Sequence, residues 1–269
     1  MTGEIKLNSL NILHISDAHI QLDAKEEVSE IVVKMINDAL KVQKEQDIKI
    51  DLVCFTGDLI QRGDKALDDE KQLEIAEEIL VNPLLNSLGL ENNKFIIIPG
   101  NHEVDVKKIV KATEKGLLVD SLEEINDNVS DMNESYLARL DYFYQWIDNY
   151  YDDIIREKIG YAFLREINGK KIGIACIDSA WRSSGKGGCE KGIMYVGQKQ
   201  INDLYKHIKD ADIKICLMHH PTDWLSDYES TIIERELTKF DIVLRGHVHE
   251  NDHKEVCRQS MKTIYSTAG

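Results

Sequence analysis

The chain has 269 residues, 42% hydrophobic and 30% charged, a globular balance that allows one or two domains and excludes disordered or collagen-like architecture. No run approaches the roughly 20 apolar residues of a membrane-spanning helix, and Met1 to Asn8 lacks the basic-then-apolar order of a signal peptide, so the chain reads as cytoplasmic with no membrane partner. Lys and Arg total 33 against 48 Asp and Glu, a formal charge of −15 that argues against long duplex nucleic acid as a partner of this domain.

Short β-branched runs alternate with longer amphipathic segments. Residues 11–16, 51–56 and 94–99 are compact apolar runs that read as buried strands. Between the first two, Val28, Ile31, Val32, Met35, Ile36, Ala39 and Leu40 recur at helical spacing, with Asp23 as N-cap. A second helix is expected from Asp68 to Ser87, with Leu73, Ala76, Ile79 and Leu80 on its inner face and Gly89 ending it. Residues 103–158 carry helical periodicity and no strand signal, and read as an insertion. Its aromatic residues, Tyr136 to Tyr151, fit the apolar face of a docked helix better than a platform for nucleobases.

Residues 161–167 and 171–177 flank Asn168-Gly169, the strongest hairpin signal in the chain. A helix at 198–209, a strand at 213–218, a helix near 228–239 and a strand at 241–245 follow, with a last strand at 261–269. Alternating strands and helices, with both hairpin and crossover signals, point to an α/β fold: a four-layer α/β/β/α sandwich of two mixed sheets, with the helical insertion at about 103–158. The five cysteines, Cys54, Cys176, Cys189, Cys216 and Cys257, are odd in number and never spaced as CxxC. They exclude a disulfide framework and a zinc ribbon.

Polar residues gather where strands end, the place at which an α/β fold collects an active site. The clusters are Asp17-Ala18-His19, Gly57-Asp58, Gly100-Asn101-His102-Glu103, His219-His220-Pro221 and Gly246-His247-Val248-His249, and they hold six of the nine histidines. Imidazole and carboxylate without thiolate suit Mn, Fe, Zn or Ni. One carboxylate can bridge two ions, Asn adds a neutral oxygen, and alternation along an extended strand end would turn both members of DxH or HxH to one side. Two divalent ions against two carboxylates leave net positive charge, which suits a phosphate oxyanion.

In this order, the blocks D-x-H, G-D, G-N-H-E, H-x-P and G-H-x-H resemble the calcineurin-like metallophosphoesterase superfamily. The resemblance covers the chain apart from the insertion. It implies one metal held by Asp17, His19 and His249, a second by Asn101, His219 and His247, and Asp58 bridging them. The cofactors would be two divalent ions, Mn first among Mn, Fe, Zn and Ni. His102 would be the catalytic histidine, contacting the phosphate or protonating the leaving oxygen, with Arg62 and His220 binding substrate.

Within the superfamily, Asp178-Ser179, Gly192 and Gln200-Ile201 are similar to the bacterial cyclic-nucleotide phosphodiesterase branch. Residues 57–63 also echo the Ser/Thr phosphatase motif, but Gln61 replaces the Asp that would pair with the catalytic histidine. The expected activity is hydrolysis of a phosphodiester, a cyclic nucleotide or single-stranded nucleic acid, by water activated between the two ions. A nucleotide phosphomonoesterase and a non-catalytic interaction scaffold are the alternatives. Glu103 reads as a partner of the ligands, His14 as a core residue and His207 and His253 as surface residues, while Trp181-Arg182 fits either a substrate cover or packing. The strand at 261–269 and the HisHisProThrAspTrpLeu element suggest a module of a longer protein, truncated at its C-terminal end, with fused C-terminal domains.

Overall fold

A computed structural model describes residues 9–21, 24–61, 69–132, 134–249, 252–258 and 261–268. The first sheet holds β1 (Ile12–Ile15), β2 (Leu52–Phe55) and β3 (Phe95–Ile97), all parallel. Crossovers are made by α1 (Lys25–Gln46) and by a helical run of α2 (Asp69–Ala76), a π turn at Glu77–Val81 and α3 (Asn82–Leu88). The π turn has a local cause: Pro83 has no N–H for the ladder, so the helix must widen before it resumes. Gly89, at φ +66°, then ends the run as expected. On α1, Val32, Ile36 and Ala39 are buried, but Ile31 is 63% exposed and Leu40 is also exposed, so its inner face is narrower than its apolar pattern. Asp23, the expected N-cap, lies outside the described residues.

Residues 103–158 fold mainly into α4 (Lys111–Gly116), α5 (Leu122–Ser130), α6 (Glu134–Leu137) and α7 (Asp141–Tyr150). A short strand, β4 (Ile155–Arg156), was not anticipated there; it pairs with β5 (Tyr161–Ile167). Phe143, Tyr144, Trp146 and Tyr151 are buried, and their polar tips fasten the insertion to the body. Tyr151 Oη donates to the Phe95 carbonyl at 2.8 Å and Trp146 Nε1 to Glu77 at 3.1 Å. These rings are core, not a stacking platform.

β5 and β6 (Lys170–Ile177) form the hairpin, with Asn168 and Gly169 at φ +52° and +73° in the turn. After α8 (Gln198–Ile208) come β7 (Ile213–Met218), α9 (Ser230–Leu237), β8 (Ile242–Arg245), β9 (Asp252–Arg258) and β10 (Met261–Thr267). The second sheet runs β4-β5-β6-β7-β8-β10-β9 and is mixed, with β6, β7, β8 and β10 parallel. Side-chain alternation assigns its faces. Ile174, Cys176, Ile215 and Leu217 join the core shared with the first sheet, while Ala175, Ile177, Cys216 and Met218 pack in the cluster that includes α8 and α9 residues. The result is the expected α/β/β/α sandwich, with its smaller sheet parallel rather than mixed. β9 was missed because an edge strand of Asp, His, Lys, Glu and Arg carries no apolar alternation.

His14 on β1 spans the sandwich: its ring nitrogens lie 3.0 Å from Thr56 Oγ1 and 3.3 Å from Ser266 Oγ on β10. Burial, then the charge of His253, lowers its pKa to about 4, so it serves as a neutral packed histidine. His207 pairs with Glu157 near the surface and His253 is exposed. No helix among the described residues is long and apolar enough to cross a membrane.

Candidate metal centre

The C-terminal ends of β1, β2 and β3 meet those of β7 and β8, and each delivers one polar loop. Backbone bonds lace the loops together. Asp17 N–H donates to the Gly57 carbonyl and His19 N–H to that of Asp58, both at 3.0 Å, while Gly246 N–H donates to His219 at 3.1 Å. The Asp17 carboxylate accepts the backbone N–H of His247 at 2.9 Å, joining positions 230 residues apart. Two glycines permit this closeness. A Cβ on Gly100 would collide with the Asp58 carboxylate, and one on Gly246 with Ser16.

Asp17, His19, Asp58, Asn101, His102, His219, His247 and His249 converge at this junction. Asp17, His19 and His249 offer ligand atoms within 4.8 Å of one another, as do Asp17, Asp58 and His219. The Oδ2 atom of Asp58 faces both sides, 3.8 Å from His19 Nε2 and 3.4 Å from His219 Nε2. His249 Nε2 lies 3.6 Å from Asp17 Oδ1. On the other side His219 Nε2 is 3.2 Å from both Asn101 Oδ1 and His247 Nδ1.

Convergence comes from a different backbone than expected. Asp17, His19, Asp58, His247 and His249 all have positive φ, between +46° and +75°. They are five of the seven non-glycine residues with positive φ among those described. DxH and HxH are therefore left-handed turns, not extended strand ends. Such conformations cost of order 1–3 kcal/mol each and persist where surrounding contacts and function demand them.

Several buried polar atoms here have no hydrogen-bond partner: Asp17 Oδ1, both ring nitrogens of His19, and the Nε2 atoms of His220 and His247. A buried polar atom left alone is costly. Two ligands each ~2.1 Å from one ion lie roughly 3–4 Å apart, and Asp17 Oδ1 lies 3.9 Å from His19 Nε2. The residues thus fit divalent cations. The tautomer of His219 fits as well: its Nδ1 lies 2.6 Å from the Thr56 carbonyl, a bond that needs the proton on Nδ1 and leaves Nε2 free to ligate.

Electrostatics bind the centre together. Burial opposes charge on His219, yet the charge and hydrogen bond of Asp58 outweigh it and raise the pKa to about 9. Burial likewise opposes an ionised Asp58, but His219 and then His102 hold that carboxyl well below the usual range. Asp58 and His219 thus hold a proton between them that a bound cation would replace. Burial, then the charge of His219, lowers His247 to about 3, which keeps it a neutral donor.

His102 is half-buried, its ring edge-on to that of His19 with centroids 4.4 Å apart. Its backbone N–H donates to Asp58 Oδ1 at 2.8 Å. His220, expected to bind substrate, is fully buried. Its Nδ1 lies 2.8 Å from Ser179 Oγ, its ring centroid lies 4.5 Å from that of His247, and it offers a ligand atom within 4.8 Å of those of His219 and His247. Trp181 and Arg182 are buried too, and Trp181 packs edge-on against Tyr195. Arg62 lies outside the described residues. Trp224, in the HisHisProThrAspTrpLeu element but not among the expected site residues, is a half-buried ring whose centroid lies 3.9 Å from that of His247. Glu103 is the tie it was expected to be, accepting three backbone N–H groups.

Comparison with known proteins agrees with this geometry. Among curated proteins, the uncharacterized metallophosphoesterase-like protein YydB of Bacillus subtilis (strain 168) is 23% identical over 261 residues, covering 90% of this chain. The alignment covers 49% of that protein, so the chain spans about half the length of the curated relative it matches. The model of the calcineurin-like phosphoesterase family matches residues 10–251, and the chain belongs to that family.

Proposed function

We propose that the chain is a phosphodiesterase in which Asp17, His19 and His249 hold one divalent ion, Asn101, His219 and His247 hold a second, and Asp58 bridges them. The observation that carries this reading is the position of Asp58 Oδ2, between His19 at 3.8 Å and His219 at 3.4 Å, amid donor atoms that lack other partners. When bound, the ions would supply a water of lowered pKa and positive charge facing the phosphoryl oxygens. The protein's part is to hold that geometry and move a proton. His102, anchored through its backbone to Asp58 and half-exposed beside His19, is placed to protonate the leaving oxygen. His220 packs against the ring of His247. Manganese is the first metal to test.

A diester is favoured over a monoester because Gln61 stands where a phosphatase-type Asp would charge-stabilise the imidazolium. A reducing, cytoplasmic setting fits the unpaired thiols of Cys54, Cys176 and Cys216 in the core, and the net charge of −15 disfavours long duplex nucleic acid. The test is hydrolysis of bis-p-nitrophenyl phosphate and p-nitrophenyl phosphate after reconstitution with Mn, Fe, Zn or Ni. The diester should be the better substrate. A preference for the monoester across metals and pH would replace this reading with a phosphomonoesterase. Bound metal with no turnover of either would leave an interaction scaffold.

A further inference from the structure

This acidic chain has a locally basic edge. Between Lys107 and Lys115 stand Lys107, Lys108, Lys111 and Lys115 against a single acid, Glu114. That acid is already matched. It accepts from Arg139 at 2.5 Å and Arg182 at 3.2 Å, two guanidiniums almost fully buried. Glu114 and Arg182 form part of the wall of a groove of about 350 Å³, whose rim carries Lys111, Lys115 and Lys186. All three lysines are exposed, and among the described residues none makes an ion pair. Beside them Leu118 and Ile193 present exposed apolar side chains to the same groove.

Both walls grow out of loops that build the metal centre. One begins just after the turn carrying Asn101 and His102, passes through a single turn at Val106–Lys108 and continues into α4. The other leaves β6 through Ser179, the residue that touches His220. It returns at Gly192, whose N–H donates to the Trp224 carbonyl at 2.9 Å, and the Trp224 ring lies 3.9 Å from that of His247.

We propose that this groove is a subsite for a second phosphate and its nucleoside, making the substrate a short single-stranded oligonucleotide rather than an isolated or cyclic diester. The proposal rests on the phosphodiesterase reading above and narrows it. With the scissile phosphate at the metal centre, the neighbouring phosphate meets Lys111, Lys115 and Lys186, while Leu118 and Ile193 take the sugar or base. Unpaired ammoniums beside apolar surface are the combination single-strand sites use, charge for the backbone and contact area for the bases. The net charge of −15 disfavours a long duplex more than a strand only a few nucleotides long.

The test is the triple variant Lys111→Gln/Lys115→Gln/Lys186→Gln, three exposed changes outside the metal centre. Its kinetics are compared with those of the unaltered protein on bis-p-nitrophenyl phosphate, on TpT with one phosphate and on TpTpT with two. KM for TpTpT should rise about tenfold, as when one or two phosphate contacts are lost, with bis-p-nitrophenyl phosphate and TpT unchanged. An equal effect on all three substrates, or none on TpTpT, overturns the subsite. Fluorescence anisotropy with a labelled thymidine tetranucleotide reads the groove without turnover, and the unaltered protein should bind about tenfold more tightly at low salt. Equal binding also overturns the subsite. Lysine-dependent binding in a metal-loaded protein that cleaves no diester would instead retain the groove and remove the phosphodiesterase reading.

Discussion

The carboxylate of Glu103 accepts the backbone N–H of Asp58 at 2.9 Å, while its two oxygens also take those of Ile60 at 3.1 Å and Gly100 at 2.6 Å. One fully buried side chain thereby fixes the loops after β2 and β3, which carry Asp58, Asn101 and His102. Burial, then the charge of Asp58, raises its pKa to about 7, against the pull of those three bonds. Glu103→Ala would leave three buried N–H groups without an acceptor, at about 1–3 kcal/mol each. The expected result is a loss on the order of 3 kcal/mol or more in urea unfolding, together with weaker metal binding. Glu103→Gln keeps one acceptor oxygen and should fall between. An unchanged unfolding midpoint in the alanine variant would mean that other contacts hold the loops.

Glu229 sets a pH dependence away from the metal centre. Its carboxylate accepts the N–H groups of Val196 at 2.7 Å and Gly197 at 3.0 Å, and burial raises its pKa from 4.5 to about 7. The folded chain then holds this proton more tightly than the unfolded chain does. Its contribution is fully present below pH 4.5 and is lost as pH rises to about 7. Glu229→Gln cannot titrate. The stability of the unaltered protein relative to that variant should therefore decline by on the order of 3 kcal/mol from acid to neutral pH. Chemical denaturation of both proteins across that range measures it, and a constant difference would show that Glu229 does not titrate there.

Much of this was legible in the chain because the responsible signals are local. A doubly covered strand must be a continuous apolar run, as in β2, and Asn168-Gly169 adopts the left-handed pair that a tight hairpin requires. Residue types at strand ends likewise marked the metal centre. What escaped depends on distant partners. The left-handed turns at Asp17 and His247 are held by a bond between residues far apart in the chain. His219 and His220 are the same residue type side by side, yet one faces Asp58 and the other contacts Ser179 and packs against the ring of His247. The exposed face of α1 escaped for the same reason, since Ile31 sits at perfect helical spacing with nothing among the described residues burying it.

Binding and chemistry should separate at two neighbouring residues. Asp58→Ala removes the carboxylate oxygen that faces both His19 and His219, so metal content and activity should fall together. His102→Ala removes a ring that touches His19 but, in the proposed assignment, no ligand. Metal content should persist while turnover on an unactivated diester drops by roughly 10²–10⁴. Elemental analysis of a metal-replete sample should also give two ions per chain. One ion, or full activity without His102, would contradict the assignment.

The last expectation distinguishes two roles for His220. Asp178 is locked in place: its N–H donates to Gln200 Oε1 at 2.7 Å, Gln200 Nε2 donates to its carbonyl at 3.0 Å, and Tyr144 Oη donates to its carboxylate at 2.6 Å. This fixes Ser179, whose Oγ accepts the His220 backbone N–H at 3.1 Å and lies 2.8 Å from its Nδ1. The motif that resembles the diesterase branch is, in the fold, a buried seat for an imidazole pressed against His247. Ser179→Ala would empty that seat, letting His220 rotate and His247 lose its support. If His220 acts through His247, affinity for one of the two ions should fall by about 10–100-fold, while KM for bis-p-nitrophenyl phosphate at saturating metal stays the same. Ser179→Thr retains the hydroxyl and should restore most of the metal affinity. The opposite pattern, a raised KM with metal affinity intact, would place His220 on the substrate.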